Sequence, residues 1–121
     1  MINFSRGDVV VVDLGMTQKV RPCVVVSISN PDRQRNMSVV VPMTTEIRGG
    51  DCEVSFAKPA WLKSESVVNV LGVAGVDNAK VIKRIGQFPV AKFQEITWRL
   101  AGILGLELKE PPMEIPPVSR N

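Results

Sequence analysis

Histidine is absent from the 121-residue sequence, and this absence excludes several kinds of active site. Ser-His-Asp triads, Cys-His pairs, histidine metal sites and nuclease sites built on two histidines all need an imidazole. The sequence also lacks a Gly-rich phosphate loop with its lysine and serine or threonine, and no carboxylate cluster resembles a two-metal site. Any catalysis must therefore use Arg, Lys, Thr, Ser or acidic side chains, and we expect neither a metal nor a cofactor.

Tyrosine is also absent, and the chain has only two tryptophans and four phenylalanines. With so few aromatic residues, the sequence does not indicate a surface on which single-stranded bases stack. The two cysteines, Cys23 and Cys52, form neither a disulfide framework nor a zinc motif, and they suit free thiols in a reducing cytoplasm. No apolar run is long enough for a membrane span, and the N-terminus lacks the apolar segment of a signal peptide. We therefore expect a cytoplasmic protein without membrane contact.

The length and the absence of internal repeats predict one domain, and the net charge of +3 permits an anionic partner without identifying one. Short runs rich in valine, separated by turn residues, predict a series of strands. A Gly-Gly-Asp corner at 49–51 predicts a hairpin, and Gly72 and Gly75 predict a bulge or a bend inside one long strand. The predicted strands cover residues 9–12, 21–29, 37–43, 52–56, 66–77 and 79–88.

The hydrophobic period changes near the C-terminus, where residues 89–106 predict an amphipathic helix. Its apolar residues recur at threes and fours: Val90, Phe93, Ile96, Leu100, Ile103 and Leu104. Pro89 suits the helix start and Gly105 its end. Residues 107–121 contain two Pro-Pro pairs and predict an extended tail. The sequence thus predicts a mainly β, α+β domain at 1–106, a small SH3-like antiparallel barrel with a C-terminal helix.

Two stretches contain candidate site residues. Arg21 precedes Pro22 at a strand entrance, where proline restricts its backbone, and a guanidinium matches phosphate oxygens. Thr44 and Thr45 follow the third strand, and because adjacent strand residues face opposite sides, at most one hydroxyl should face a given site. Taken alone, Arg21 could equally pair with a surface carboxylate, and the threonines could serve only turn formation.

The ordered set of motifs resembles the MazF/PemK family, the mRNA-cleaving toxins of bacterial toxin–antitoxin modules. The resemblance covers residues 5 to 106 and rests on the segments "RGDVVVVDLG", "RPCVVVS", "VVVPMTTE", "SVVNV", "VD" and "RIG". It implies a small barrel that dimerises and cuts single-stranded RNA without metal through attack of the 2′-hydroxyl. It also implies Arg21 and Thr44 as the catalytic residues, and inhibition by a cognate acidic antitoxin laid across the RNA groove.

Substrate-binding candidates of lower weight are Gln18, Lys19, Thr45, Arg48 and Asn69. A solvated surface position is the simpler interpretation for Lys19 and Arg48, and a satisfied buried amide is the simpler one for Asn69.

The sequence departs from the family pattern in two places. The loop at 15–20 is short, and the Glu-Gln pair of many relatives corresponds to Leu71 and Gly72. These departures leave two alternatives to the nuclease: a non-enzymatic toxin of the gyrase-binding kind on the same barrel, or an RNA-binding module without cleavage.

Overall fold

A computed structural model describes residues 2–15, 19–30, 32 and 34–108, which form a mainly antiparallel β structure with one C-terminal α-helix. This architecture confirms the predicted fold class. The elements in chain order are β1 Asp8–Asp13, β2 Val20–Val25, β3 Met37–Thr44, β4 Glu53–Ser55, β5 Val67–Asn69, β6 Ala74–Asp77, β7 Val81–Gln87 and α1 Val90–Ile103.

All ladders are antiparallel, and the strands follow the order β4-β5-β3-β2-β1-β7, with β6 also paired to β3. Within the described residues no ladder joins β4 to β7, so the curved sheet stays open at these two edges. No helix in this part of the chain is long and apolar enough to cross a bilayer. The predicted C-terminal tail, 107–121, falls mostly outside the described residues, so its boundary stays a prediction.

The predicted long strand over 66–77 is wrong, because β5 and β6 are separate strands. A single turn of 3₁₀-helix, Val70–Gly72, lies between them. β6 pairs with the first half of β3 and β5 with its end, and β3 changes neighbour around Pro42. Proline has no N–H to donate to a ladder, so it fits the position where pairing is interrupted. A Cβ at Gly72 would lie 2.6 Å from Pro42 Cγ, so this crossing requires glycine.

The predicted hairpin at residues 49–51 is also wrong, because β4 pairs with β5 rather than with β3. The loop closes through a side chain instead: the Glu53 carboxylate accepts hydrogen bonds from the backbone N–H groups of Arg48 and Gly49, at 3.0 and 2.7 Å. The second predicted strand ends four residues early, at Val25. The next two N–H groups, of Val26 and Ser27, both donate to the carbonyl of Val39, which interrupts the regular ladder.

The central strands are buried on both faces, because their alternate valines enter two separate hydrophobic clusters. One face packs against α1 and β5, and the other against β6 and β7. The larger cluster consists of Val9, Val24, Val41, Met43, Val54, Phe56, Leu62, Val68, Val70, Phe88, Phe93 and Ile96. The smaller one consists of Val10, Val12, Cys23, Val25, Val40, Val76 and Val81.

Helix α1 presents part of the predicted apolar stripe to the larger cluster. Phe93 and Ile96 are buried, whereas Val90 and Leu104 are 69% and 58% exposed, so the prediction is wrong at both ends of the stripe. The helix ends as predicted near Gly105, whose φ of +73° is a conformation that glycine adopts without strain. A hydrogen bond of 2.8 Å from Leu106 N to the Ala101 carbonyl closes the last turn.

Candidate active-site cleft

A cleft of about 500 Å³ opens where the start of β2 meets β7 and the connection between β4 and β5. β1 contributes Val11 to its lining, and the end of β3 contributes Met43 and, directly after the strand, Thr45. The lining consists of Val11, Lys19, Val20, Arg21, Pro22, Met43, Thr45, Trp61, Leu62, Lys63, Ser64, Ser66, Lys83 and Ile85.

Charge in this cleft is of one sign. Four lining residues, Lys19, Arg21, Lys63 and Lys83, are cationic, and none of the lining residues that the structure describes is acidic. A concave surface lined by cations concentrates an anionic ligand. The remaining lining side chains are apolar or carry hydroxyls, which suits a ligand that combines phosphates with flat apolar parts.

Arg21 lies in β2 opposite Val12 of β1, and its side chain is exposed at the cleft. The rigid β1–β2 ladder and the adjacent Pro22 fix the backbone from which the guanidinium extends. Cys23, two residues further, is fully buried, and this burial raises the pKa of its thiol to about 12 although the charge of Arg21 acts in the opposite direction. Cys23 therefore remains a neutral packing residue at physiological pH.

The two threonines at the end of β3 occupy different positions, as alternation requires. Thr45 lines the cleft, whereas Thr44 is half-buried and is not among the lining residues. The Thr44 hydroxyl accepts a hydrogen bond of 3.0 Å from the backbone N–H of Glu46. The structure thus brings Arg21 and Thr45 into one cleft, with Thr44 beside it.

The register of β2 and β3 relates Arg21 to Thr44. Cys23 stands opposite Pro42 in this antiparallel ladder, and two residues further along the two strands are Arg21 and Thr44. Because cross-strand neighbours share a face of the sheet, this register relates the side chains of Arg21 and Thr44.

Glu46 interacts with both Arg21 and Thr44. The hydrogen bond and charge of Arg48 lower the pKa of the Glu46 carboxyl, and the charge of Arg21 adds a smaller contribution in the same direction. Its backbone N–H is the group that holds the Thr44 hydroxyl.

The other predicted binding residues are dispersed. Lys19 is exposed at the cleft with a φ of 58°; its N–H donates to the Gly15 carbonyl and its carbonyl accepts from Leu14 N. Arg48 lies outside the cleft lining and forms an exposed ion pair of 2.8 Å with Glu46. Asn69 is half-buried at the end of β5, opposite Glu53 and outside the lining. Gln18 lies outside the described residues.

Leu71 and Gly72, at which the resemblance led us to expect a departure from the family pattern, lie in the 3₁₀ turn. Leu71 is 63% exposed, and Gly72 packs against Pro42, as described above. A side chain at position 72 would therefore require movement of Pro42.

Sequence reasoning missed Trp61, Lys63 and Lys83 as cleft residues. Lys83 stands opposite Val11 in the β1–β7 ladder, so its position depends on a pairing between the first and last strands. Trp61 and Lys63 lie in an irregular connection, where neither periodicity nor a motif predicts a side-chain direction. The described residues hold no group of three or more Cys, Asp or Glu side chains placed to bind a metal ion.

Similarities to known proteins agree with this architecture. Residues 5–104 match the family described as PemK-like, MazF-like toxin of type II toxin-antitoxin system. No curated protein matches the sequence.

Three solved structures illustrate the shared fold. An endoribonuclease in complex with its cognate antitoxin, from a mycobacterial species, has a TM-score of 0.74 and 25% identity over 88% of this chain and 99% of that one. A MazE–MazF structure from Deinococcus radiodurans has a TM-score of 0.70 and 22% identity over 86% and 97%. The Mycobacterium tuberculosis toxin MazF-mt6 has a TM-score of 0.73 and 19% identity over 84% and 99%. With its sequence matched across nearly the whole domain, this chain belongs to the family of PemK-like, MazF-like toxins of type II toxin–antitoxin systems.

Proposed function

We propose that this protein is an endoribonuclease toxin that cleaves single-stranded RNA at a short sequence motif without a metal ion. The observation that carries the proposal is the cleft in which Arg21 is joined by three lysines and by no described acidic residue. Such a cleft attracts the phosphates of RNA and offers a guanidinium for the phosphate that reacts. Membership of the toxin family and the likeness to a mycobacterial endoribonuclease support the same reaction.

The proposed reaction is an internal transesterification. The 2′-oxygen of one ribose attacks the adjacent phosphorus, a P–O2′ bond forms and the P–O5′ bond breaks. The 2′-hydroxyl loses its proton and the departing 5′-oxygen gains one, so the products are a 2′,3′-cyclic phosphate and a 5′-hydroxyl. Negative charge grows on the non-bridging oxygens during the attack, and the Arg21 guanidinium stabilises it. Arginine stays charged at neutral pH, so its role is electrostatic stabilisation.

Thr44 is the proposed partner of Arg21. A hydroxyl has one proton to donate and two lone pairs that accept. Because the Glu46 N–H occupies one lone pair, the Thr44 oxygen is held in place and its proton remains available for a phosphate oxygen. Thr45 is the competing candidate, since it lines the cleft directly.

A cognate antitoxin and a second copy of this chain are the proposed protein partners. An acidic segment of the antitoxin would occupy the cationic cleft and compete with RNA. Binding driven by such charges should weaken as the salt concentration rises.

Incubation of the purified protein with a long single-stranded RNA in EDTA tests the reaction. We expect fragments with cyclic phosphate and 5′-hydroxyl ends, whose mapped 5′ ends define the motif. Arg21→Ala should reduce the rate by about 10²–10³-fold, as removal of one oxyanion donor does in other enzymes. Thr44→Ala should reduce the rate more strongly than Thr45→Ala, and the reverse order would assign the role to Thr45.

One observation favours a second candidate function, an RNA-binding module that does not cleave. Gly72 cannot accept a side chain without movement of Pro42, and the resemblance implies that Leu71 and Gly72 stand where many family members have a Glu-Gln pair. Tight RNA binding with intact RNA under the same conditions would establish this alternative. If the protein neither binds nor cleaves RNA, the remaining alternative is the non-enzymatic toxin.

A further inference from the structure

Trp61 is the only aromatic residue among the described residues that line the cleft. It lies in the irregular connection between β4 and β5, half-buried, with part of its surface packed against the larger hydrophobic cluster. Two hydrogen bonds hold this connection on either side of the indole: Leu62 N donates to the Pro59 carbonyl at 3.1 Å, and Lys58 Nζ donates to the Leu62 carbonyl at 2.9 Å. The tryptophan is therefore presented to the cleft from a constrained backbone.

One face of the indole rests on Gly86 of β7. A Cβ at position 86 would lie 2.5 Å from Nε1, 2.6 Å from Cε2 and 2.8 Å from Cδ1 of Trp61. Three consecutive ring atoms at nearly equal distances mean that this Cβ would lie above the ring face and not beside its edge. Glycine at 86 therefore permits the indole to lie flat on the strand, and Trp61 also lines the cleft.

Cations and a hydroxyl line the same cleft as this tryptophan. Lys63 and Ser64 follow it in the chain, Lys83 lies on β7 together with Gly86, and all three line the cleft together with Arg21. Proteins that bind single strands combine a cationic groove for the backbone with an aromatic face for a base. The neighbourhood of Trp61 contains both parts.

We propose that the face of Trp61 opposite Gly86 is a stacking platform for one nucleobase of bound single-stranded RNA, with Lys63 and Lys83 contacting the flanking phosphates. This inference rests on the proposed function, because it assumes that the cleft holds RNA. It assigns a base-binding subsite to a residue that neither the motif Arg21–Pro22 nor the two threonines would identify. Base selection would then involve a surface separate from the positions at Leu71 and Gly72.

Fluorescence offers a direct test, because the chain has two tryptophans. In a Trp98→Phe variant, Trp61 is the only tryptophan, so all tryptophan fluorescence comes from it. The ligand is a single-stranded RNA of the cleaved sequence in which 2′-O-methyl groups remove the attacking hydroxyl. A series of such oligonucleotides lacks one base at a time. We expect the RNA to quench Trp61 fluorescence and the quench to disappear when one particular base is missing.

Substitutions complete the test. Trp61→Leu should weaken binding of the methylated RNA by about 10- to 100-fold, whereas Trp61→Phe, which keeps a ring, should cost only a few-fold. Thermal unfolding of both variants measures the loss of packing separately. Gly86→Ala should displace the indole and weaken RNA binding although the tryptophan is still present, and Gly102→Ala, where a Cβ meets nothing within 4 Å, is the matched control. Should Trp61→Leu fail to fold, the Phe variant and the missing-base series still decide the question.

The results separate this inference from the proposed function. Suppose that RNA is bound and cleaved, that the loss of fluorescence does not depend on which base is missing, and that Trp61→Leu binds RNA with full affinity. These results would overturn the stacking platform and leave the nuclease. An RNA that is neither bound nor cleaved would overturn both. A quench that depends on one base, with binding but no cleavage, would support the platform in the RNA-binding alternative.

Discussion

Positively charged side chains occur in two contrasting environments in this molecule. On α1, Lys92 and Arg99 both bind the buried carboxylate of Glu95, at 3.2 and 3.0 Å, and Glu95 is only 6% exposed. Arg99 also donates to the Asp51 carbonyl at 3.1 Å, which joins the helix to the loop before β4. In the cleft, four cations line one concavity without any described acidic residue.

The contrast separates structural from functional charge. The cations on the helix pair with Glu95 within the fold, so they hold elements together and add little attraction for a ligand. The cations in the cleft line one concavity that has no described acidic lining residue. Such a surface concentrates a polyanion. Arginine and lysine content alone would not distinguish these two groups.

The largest expected effect concerns the helix cluster. Glu95→Ala should destabilise the protein by about 3 kcal/mol, because it leaves the half-buried Arg99 guanidinium without its carboxylate. Urea unfolding measures the change, and Glu65→Ala, at an exposed position, is the control. RNA cleavage per folded molecule should remain unchanged. A loss below about 1 kcal/mol would mean that the cluster behaves as an ordinary surface pair.

Substitution of Arg21 by lysine tests whether the cleft needs a guanidinium or only a charge. Arg21→Lys keeps the charge but loses the planar fork, so cleavage should slow by about 10- to 100-fold while stability is unchanged. Arg84→Lys is the matched control, because Arg84 pairs with Asp8 through Nε at 3.1 Å outside the cleft lining. Equal rates for Arg21→Lys and the unmodified protein would show that charge alone suffices.

Cys23 provides a pH-dependent measure of burial next to the cleft. Because burial raises the pKa of this thiol to about 12, the folded state keeps the proton that the unfolded state loses near pH 9.0. Stability should therefore be unaffected below pH 9 and fall between pH 9 and 12, by about 1 kcal/mol in the first unit. Denaturant unfolding from pH 7.5 to 10.5 should show this decline in the unmodified protein and a weaker one in Cys23→Ala. If the stability of both proteins declined equally with pH, the proposed contribution of the Cys23 thiol would be contradicted.

The smallest effect is expected for a single lysine of the cleft. Lys83→Ala should lower RNA affinity a few-fold and reduce the slope of log affinity against log salt by about 0.7, the value for one phosphate on a single strand. Lys80→Ala, exposed and outside the cleft lining, should leave that slope unchanged. Identical slopes for both variants would remove Lys83 from the RNA path and weaken the contrast between cleft and surface cations.

Local pattern predicted most elements of this fold. The valine-rich runs at β1, β2 and β3 and the helix around Phe93 and Ile96 occur where periodicity places them, because strand and helix periods follow from side-chain direction. Pairing was predicted less well. β4 joins β5 instead of β3, and the segment around Gly72 bends where β3 changes partner at Pro42. Such choices depend on contacts between distant segments, which a local pattern does not contain.

The residues of the candidate site, like the elements of the fold, were predicted only in part from the sequence. Arg21 was predicted from its position at a strand entrance, Thr45 from its place after the third strand, and Lys19 as a polar residue of the loop that the family resemblance places near the RNA. Trp61 and Lys83 were not, since the first lies in an irregular loop and the second faces the cleft only because β7 pairs with β1. The sparse aromatic content gave no sign that a tryptophan lies flat on a glycine in the cleft.

The sequence by itself determined the strand-rich composition, the terminal helix and the set of chemical groups, because the absence of histidine and the spacing of valines are local properties. Tertiary structure decided which cations neutralise Glu95 and which gather around an open cleft. It also decided which threonine lines that cleft and which one is held by Glu46 N. The physical reason is that strand pairing and packing, acting between residues far apart in the chain, set the distance and direction of every side chain in the site.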